Sequence, residues 1–455
     1  MKNLLNKITT VFFKKQAHIA PLAVFRMVFG SVMFASTLRF IWKGWIHDFY
    51  IEPRLHFPFY GFEWIQAFGA AGMYTLYTCM AIAALFIALG FFYRVAAVAF
   101  FLCFCYAELV DKTYYLNHYY LVSILAFLMI LVPANRFFSL DVLRRPVLKA
   151  THVPAWAINI FKLQLCIIYF FAGLSKLTVD WLVHAMPMKI WLPANVSLPL
   201  IGPILNHEWV AYFFSWAGAL FDLSVAFLLL NKTTRIFAYC LVIVFHILTA
   251  ILFQIGMFPY IMIAATTIFF SEAIHKKIIQ TIQSFFSKKE DTFRTEIAWQ
   301  YSAAKRKALF TCLFVFFFLQ VLLPLRYLLY PGKLLWTEEG YRFSWRVMLM
   351  EKGGTTFFYI KNPANGRKFE INNARFITAF QERMMETQPD MMLQYAHILK
   401  DEYKKQGIAN PIVTVESYIT LNGSGSRLYI DSTVNLANEK ESLFGHKQWI
   451  LPFEK

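Results

Sequence analysis

The sequence predicts an α-helical polytopic membrane protein of about nine transmembrane helices with a small C-terminal α+β domain outside the membrane. Three observations predict it. The 455 residues are 58% hydrophobic and 18% aromatic but only 16% charged, more apolar surface than globular cores hide and well below the roughly 25% charge of soluble chains. Apolar runs long enough to cross ~30 Å of hydrocarbon recur from the N-terminus onward. After about residue 330 the composition changes to mixed charge and turn residues, as a soluble domain requires.

The apolar runs fall near residues 20–43, 69–93, 94–110, 117–134, 156–176, 209–230, 235–255, 257–272 and 307–329. Of these, 94–110 and 257–272 are short and are expected to be tilted or partly re-entrant. The net charge of +17 could suggest nucleic acid, but the basic residues cluster in short segments beside apolar runs and no nucleic-acid signature accompanies them. Such clusters orient membrane proteins instead, because Lys and Arg accumulate on the cytoplasmic side. With nine spans, the N-terminus, the Asn135–His152 loop, the Lys232–Arg235 turn and the Glu272–Lys307 loop share one side. The N-terminus is then cytoplasmic and the chain after about residue 329 is extracytoplasmic.

Residues 1–19 are basic and amphipathic without a small-residue cleavage site, so they are expected to stay on the chain and lie on the cytoplasmic membrane surface. Residues 20–329 form the transmembrane region. Between its first two runs, Ile46–Phe68 mixes aromatic and polar residues with Pro53 and Pro58, which suits an interfacial cap. The IIQTIQSFF stretch within 274–307 reads as a cytoplasmic amphipathic helix. In residues 330–455, FFYIKNPANGRKFEI reads as a hairpin turning at Asn365-Gly366, and Asn373–Gly407 follows a helical period interrupted at Pro389. A second hairpin turns at Asn422-Gly423.

All six cysteines lie in apolar runs and read as small hydrophobes, not disulfide or metal partners. The histidines lack metal-ligand spacing, and no Gly-rich phosphate loop, CxxC, HExxH or GxSxG occurs, so no metal is expected. Ionisable groups in or beside spans are costly and therefore functional candidates. Three stand out: Lys176 at the end of the fifth run, His118 at the start of the fourth, and His246 in the seventh. Each has a plainer reading. Lys176 could snorkel and pair with Asp180, His246 could be a hydrogen-bonded packing histidine, and Asn117 with His118 could cap a helix. Topology places Lys176 and His118 at one face, with His246 about ten residues, or ~15 Å, deeper.

An ordered series of segments resembles the vitamin K-dependent γ-carboxylase family, including bacterial homologues with a horizontally transferred transmembrane domain: PRLHFPFYGFEWI (53–65), DKTYYLNHYYLVSILAF (111–127), ANRFFSLD (134–141), HVPAW (152–156), YFFAGLSKLTVDW (169–181), FDLSVAFLLL (221–230), FHILTAILFQIGMFPYIM (245–262) and GYRFSWRVML (340–349). The resemblance implies that Lys176 is the catalytic base and that Asn117 and His118 are its catalytic companions. It assigns His246, Gly256 and Phe258 to the co-substrate, and Tyr341, Ser344 and Trp345 to substrate binding. Reduced vitamin K or menaquinol would be the co-substrate, with O₂ and CO₂ and without a metal.

The implied reaction couples quinol epoxidation to removal of a γ-proton from Glu and CO₂ addition. A lysine amine accepts a proton only when uncharged, a form that apolar surroundings favour; Asn117 and His118 would stabilise the oxyanion. Implied partners are the lipid bilayer, a Glu-containing protein or peptide and a quinone-epoxide reductase, in a bacterial inner membrane. Two other readings stay open: a quinol epoxidase without glutamate carboxylation, and a non-catalytic quinone- or lipid-binding membrane protein or transporter. Tyr327 stands where the family is expected to have a histidine. The animal members also continue beyond the last residue of this sequence, so propeptide recognition is expected to differ or be absent.

Overall fold

A computed structural model describes residues 15–253, 255–285 and 296–453. The amphipathic stretch before residue 15 and the basic residues Lys288, Lys289 and Arg294 lie outside the described residues. Helices α1 (Ala20–Trp42), α2 (Ala70–Leu89), α3 (Tyr93–Val110), α4 (Asn117–Leu131), α5 (Trp156–Ser175), α6 (Glu208–Leu230) and α7 (Arg235–Leu252) are followed by α8 (Phe258–Thr266), α9 (Glu272–Ser284) and α10 (Ala303–Leu325).

Among the described residues seven helices are long and apolar enough to span a bilayer: α1, α2, α3, α5, α6, α7 and α10. The run at 94–110 is therefore a full span, not a short one. The other two of the nine expected spans fall short: α4 has 15 residues, and Phe258–Phe269 bends by 113° into α9, so the count among the described residues is seven, or eight if that bent pair is one span. These two are ~22 and ~18 Å long, short of a ~30 Å core. Both sit against the other helices instead of crossing alone.

Local chemistry sets the ends. Pro21 occupies the first turn of α1, where its missing N–H costs nothing. Gly90 ends α2 in the left-handed conformation at φ 64°. The buried Arg26 reaches that same end and donates to the carbonyls of Ile87, Ala88, Ala134 and Phe138. Its charge caps the negative end of a helix, so this intramembrane cation is structural.

At the end of the bundle away from the C-terminal domain, β1 (Gln16–His18) pairs antiparallel with β2 (His152–Pro154). The C-terminal domain holds a four-stranded sheet in the order β4-β3-β5-β6, with β3 Lys352–Lys361, β4 Lys368–Glu370, β5 Ile412–Leu421 and β6 Arg427–Leu428. Both expected hairpins are there, but the sheet is held together by β3 pairing with β5 from Lys352↔Leu421 to Lys361↔Ile412. Along β5, Val413, Val415, Ser417, Ile419 and Leu421 are buried in strict alternation. Helices α11 (Ala379–Met385) and α12 (Pro389–Lys405) complete the core, α12 burying Met391, Met392, Tyr395 and Leu399.

Polar groups clamp this domain to the bundle. Gln381 Nε2 donates to Leu55 O at 2.8 Å and to Asp111 Oδ2 at 3.0 Å. The buried Lys112 ammonium lies 2.9 Å from Asp390, which also binds Arg342. Burial alone pushes the Asp390 carboxyl up, but the Arg342 and Lys112 cations outweigh it and hold the group well below the usual carboxylate range. The 46–68 segment, expected as an interfacial cap, has two faces. Trp64 and Phe68 are exposed, whereas Phe57 is fully buried beneath the domain.

Candidate active site

Lys176 follows the last residue of α5, and its N–H is bound to the carbonyls of Gly173 and Leu174. Its side chain turns back along the helix. Nζ donates to Ala172 O at 3.3 Å and to Asp222 Oδ2 at 2.7 Å. Both side chains are 7% exposed, so this lysine is a buried partner, not a snorkelling one. Asp180 binds elsewhere, 2.8 Å from Lys333, because α5 stops at Ser175 and a separate turn begins at Val179.

Asp222 sits mid-way along α6. Close contact of α5 with α6 delivers it to Lys176: a Cβ added at Gly173 would lie 2.8 Å from the backbone N of Leu223. Only a glycine lets the two backbones approach this closely. Sequence reasoning missed Asp222, although an acidic residue inside the 209–230 apolar run meets the same criterion that singled out Lys176.

The pair opens into a cavity of about 80 Å³ between α5, α6, α7 and α8. Aromatic and aliphatic side chains line most of it, Trp181, Phe214, Phe245, Phe253 and Phe258 among them. The Lys176 ammonium also lies 5.4 Å from the centre of the Trp181 ring, a cation–π distance. His246 is in the same wall, six residues from the end of α7 and so ~9 Å deep, shallower than the sequence suggested. Its Nε2 is 3.2 Å from Tyr169 Oη, while its buried Nδ1 has no partner.

Phe258 links the two histidines, its ring centre 5.7 Å from that of His246 and 6.1 Å from that of His118. Gly256, at φ 62°, lies against His118: a Cβ there would meet the imidazole at 3.9 Å. Lys176, His246 and Phe258 thus share the cavity wall, with His118 and Gly256 behind Phe258. Asn117 is turned elsewhere, its Nδ2 donating to Arg346 O at 3.0 Å.

Tyr341, Ser344 and Trp345 are not in the cavity wall. Ser344 donates to Tyr341 O, and Trp345 stacks on Tyr120 at 4.8 Å. Beyond Arg346, Val347 and Met348 do line the cavity and close it on the domain side. The only cluster of three potential metal-ligand residues among the described residues, His47, Asp48 and Glu52, is exposed and outside the cavity wall.

A small apolar chamber with a few convergent polar groups suits an apolar ligand bearing hydroxyls. The comparisons with known proteins agree. Residues 14–273 match the HTTM domain, and residues 305–455 match the vitamin K-dependent gamma-carboxylase lumenal domain. The chain belongs to the vitamin K-dependent γ-carboxylase family. It is accordingly a multi-pass membrane protein of a carboxylase family that uses vitamin K hydroquinone, O₂ and CO₂ and acts on Glu-containing substrates. No solved structure matches the chain.

The residues present fit a hydroquinone. The unpartnered Nδ1 of His246 and the Lys176 amine are available to its hydroxyls, and the aromatic wall suits its ring. The chamber is smaller than the ~300 Å³ at which small-molecule sites begin. Side chains such as Met348 and Phe253 must therefore move to admit a ring.

Proposed function

We propose that this chain oxidises reduced vitamin K or menaquinol with O₂ in the Lys176 cavity and uses the strong base so formed to remove a γ-proton from a glutamate, which then adds CO₂. The observation that carries the reading is a buried amine, paired with a carboxylate, in an apolar chamber that also holds an unpartnered imidazole nitrogen. A pure binding protein has no need of that arrangement.

The sequence alone suggests a lone amine kept uncharged by its surroundings; the structure adds Asp222 and changes the accounting. The pair is neutral overall, whether as ammonium and carboxylate or as amine and carboxylic acid. Taking one proton from the quinol hydroxyl gives an ammonium and a carboxylic acid from either starting form. The positive charge gained then faces the quinolate, and the site as a whole stays neutral. His246 orients the hydroxyl through Nδ1 while Tyr169 holds its Nε2. His118, behind Phe258, reaches oxyanion charge only when that ring moves aside, and Asn117, held on Arg346 O, positions the loop above the cavity. The bound quinol supplies the reducing equivalents for O₂, and the closed aromatic wall keeps water from quenching the base.

Tyr341, Ser344 and Trp345 carry the loop by which the C-terminal domain presents the glutamate. Basic residues at the opposite end of the bundle, among them Arg136, Arg144, Arg145 and Lys149, favour a cytoplasmic N-terminus and an extracytoplasmic C-terminal domain in a bacterial inner membrane. A quinone-epoxide reductase would regenerate the co-substrate.

The test supplies purified protein with reduced vitamin K or menaquinol, O₂, labelled bicarbonate and Glu peptides. Epoxide together with label in the peptide is expected. Epoxide without label would leave a quinol epoxidase, and neither product would leave a quinone-binding protein.

A further inference from the structure

A second cleft, of about 520 Å³, opens at the end of the bundle away from the C-terminal domain. Its wall combines β1, the first turns of α5 and α7, and the bend between α8 and α9. Lys162, on that wall, precedes Lys176 by fourteen residues, or ~21 Å of helix. The two cavities therefore lie at opposite membrane faces.

Three cations line this cleft: Lys162, Lys232 and Arg235. Orientation by flanking charge accounts for Lys232 and Arg235, which lie in a loop and at a helix start, but not for Lys162, which is within a membrane span. A cation there is costly without a counter-charge. Among the described residues its ammonium makes no hydrogen bond or ion pair, and it stands 6.0 Å from the Phe269 ring. The only carboxylate in the wall, Glu272, is engaged by Lys276 at 3.2 Å.

Arg235 also stands at the N-terminus of α7, where the helix dipole disfavours cations and favours an anion. Part of its guanidinium is committed to Leu229 O and Leu230 O at the end of α6. His18 adds no charge at neutral pH, since burial and then the Lys276 ammonium lower it to about 4. Ile236, 67% exposed, and Ile274 give the cleft an apolar rim.

Three cations against one carboxylate among the described wall residues, at a helix N-terminus and in a cleft of ligand size beside an apolar rim, match a phosphate attached to acyl chains. We propose that this cleft binds the phosphate of an anionic phospholipid headgroup, with Lys162 and Lys232 as its principal donors and Arg235 completing the site.

Native mass spectrometry of the full-length protein, titrated in detergent with phosphatidylglycerol, phosphatidylcholine or inorganic phosphate, tests this. Phosphatidylglycerol should bind at least tenfold more tightly than phosphatidylcholine. The Lys162→Gln/Lys232→Gln variant should lose that preference, whereas Arg145→Gln/Lys149→Gln, on the same membrane face outside the cleft wall, should keep it. Lys162→Arg preserves the charge and should retain binding, so failure of the double variant to fold leaves the comparison of Lys162→Arg with Lys162→Met decisive. Lysine-dependent binding of inorganic phosphate without lipid preference would keep the phosphate chemistry and make the source soluble. Equal binding of both lipids with no phosphate binding, or equal loss in the control variant, overturns the proposal.

Discussion

The Lys176–Asp222 pair can be separated into a structural and a chemical part by a double-mutant cycle with Lys176→Met, Asp222→Leu and their combination. At 2.7 Å and an effective dielectric of 20, the charges attract by about 6 kcal/mol. Both are 7% exposed, so desolvation offsets most of that gain. Deleting one partner leaves the other buried and unpaired, at a cost of about 3–5 kcal/mol, whereas replacing both with apolar side chains is near neutral. Thermal unfolding in detergent should therefore rank the single variants well below wild type and the double variant close to it. Epoxidation should behave differently. Every variant lacking the amine should lose at least about 100-fold, the ordinary contribution of a positioned base. A stable double variant without activity shows that the pair is kept for chemistry. Single variants as stable as wild type would refute the buried ion pair, and epoxidation surviving in the double variant would refute the base assignment.

His246→Gln should raise the KM for quinol about tenfold with a smaller effect on kcat, as loss of one oriented hydrogen bond predicts; initial-rate kinetics over a quinol series check this. Gly173→Ala should abolish activity, because the new methyl meets Leu223 N at 2.8 Å and forces α5 from α6 where the pair forms. Gly218→Ala, whose added carbon meets Trp181 and Phe245 only at 3.9 and 4.0 Å, should leave thermal stability unchanged, although its methyl enters the cavity. For the domain junction, Asp390 is held below its unfolded value of about 3.9, so its contribution is present above that pH and lost as pH falls through the folded value. Limited proteolysis from pH 7 to pH 3 should find the wild-type domain protected until well below pH 4. Asp390→Asn should already be susceptible at pH 7.

What could be read from the sequence was what is locally encoded. Each apolar run became a helix, and both Asn-Gly turns became hairpins, since a left-handed turn residue is a local property. The pairing of β3 with β5 joins residues as far apart as Lys352 and Leu421, and no local pattern encodes it. The site divides along the same line. Lys176 was conspicuous because an ionisable group in an apolar run is conspicuous by itself. Its partner was not, because an i to i+4 rule pointing to Asp180 holds only while a helix continues, and this one ends at Ser175. Finding Asp222 required either treating carboxylates in spans like lysines or knowing that Gly173 brings α5 against α6.

The cavity belongs to neither half of the molecule alone. Lys176, Asp222 and His246 fall within the stretch that matches the HTTM domain, while Val347 and Met348, which close the chamber, fall within the stretch that matches the lumenal domain. Residues 343–348 include three non-glycine positions at positive φ: Phe343 at 62°, Trp345 at 57° and Met348 at 54°. Such backbone persists only where surrounding contacts over-determine it. Those contacts come from the membrane half: Tyr115 Oη accepts from Phe343 N at 2.9 Å, Asn117 holds Arg346 O, and Tyr120 stacks on Trp345. The segment just before and into α4 therefore sets the roof of a chamber whose base lies on α5. This gives the Asn117-His118 pair a division of labour, Asn117 fixing the loop above the cavity and His118 backing Phe258 in its wall.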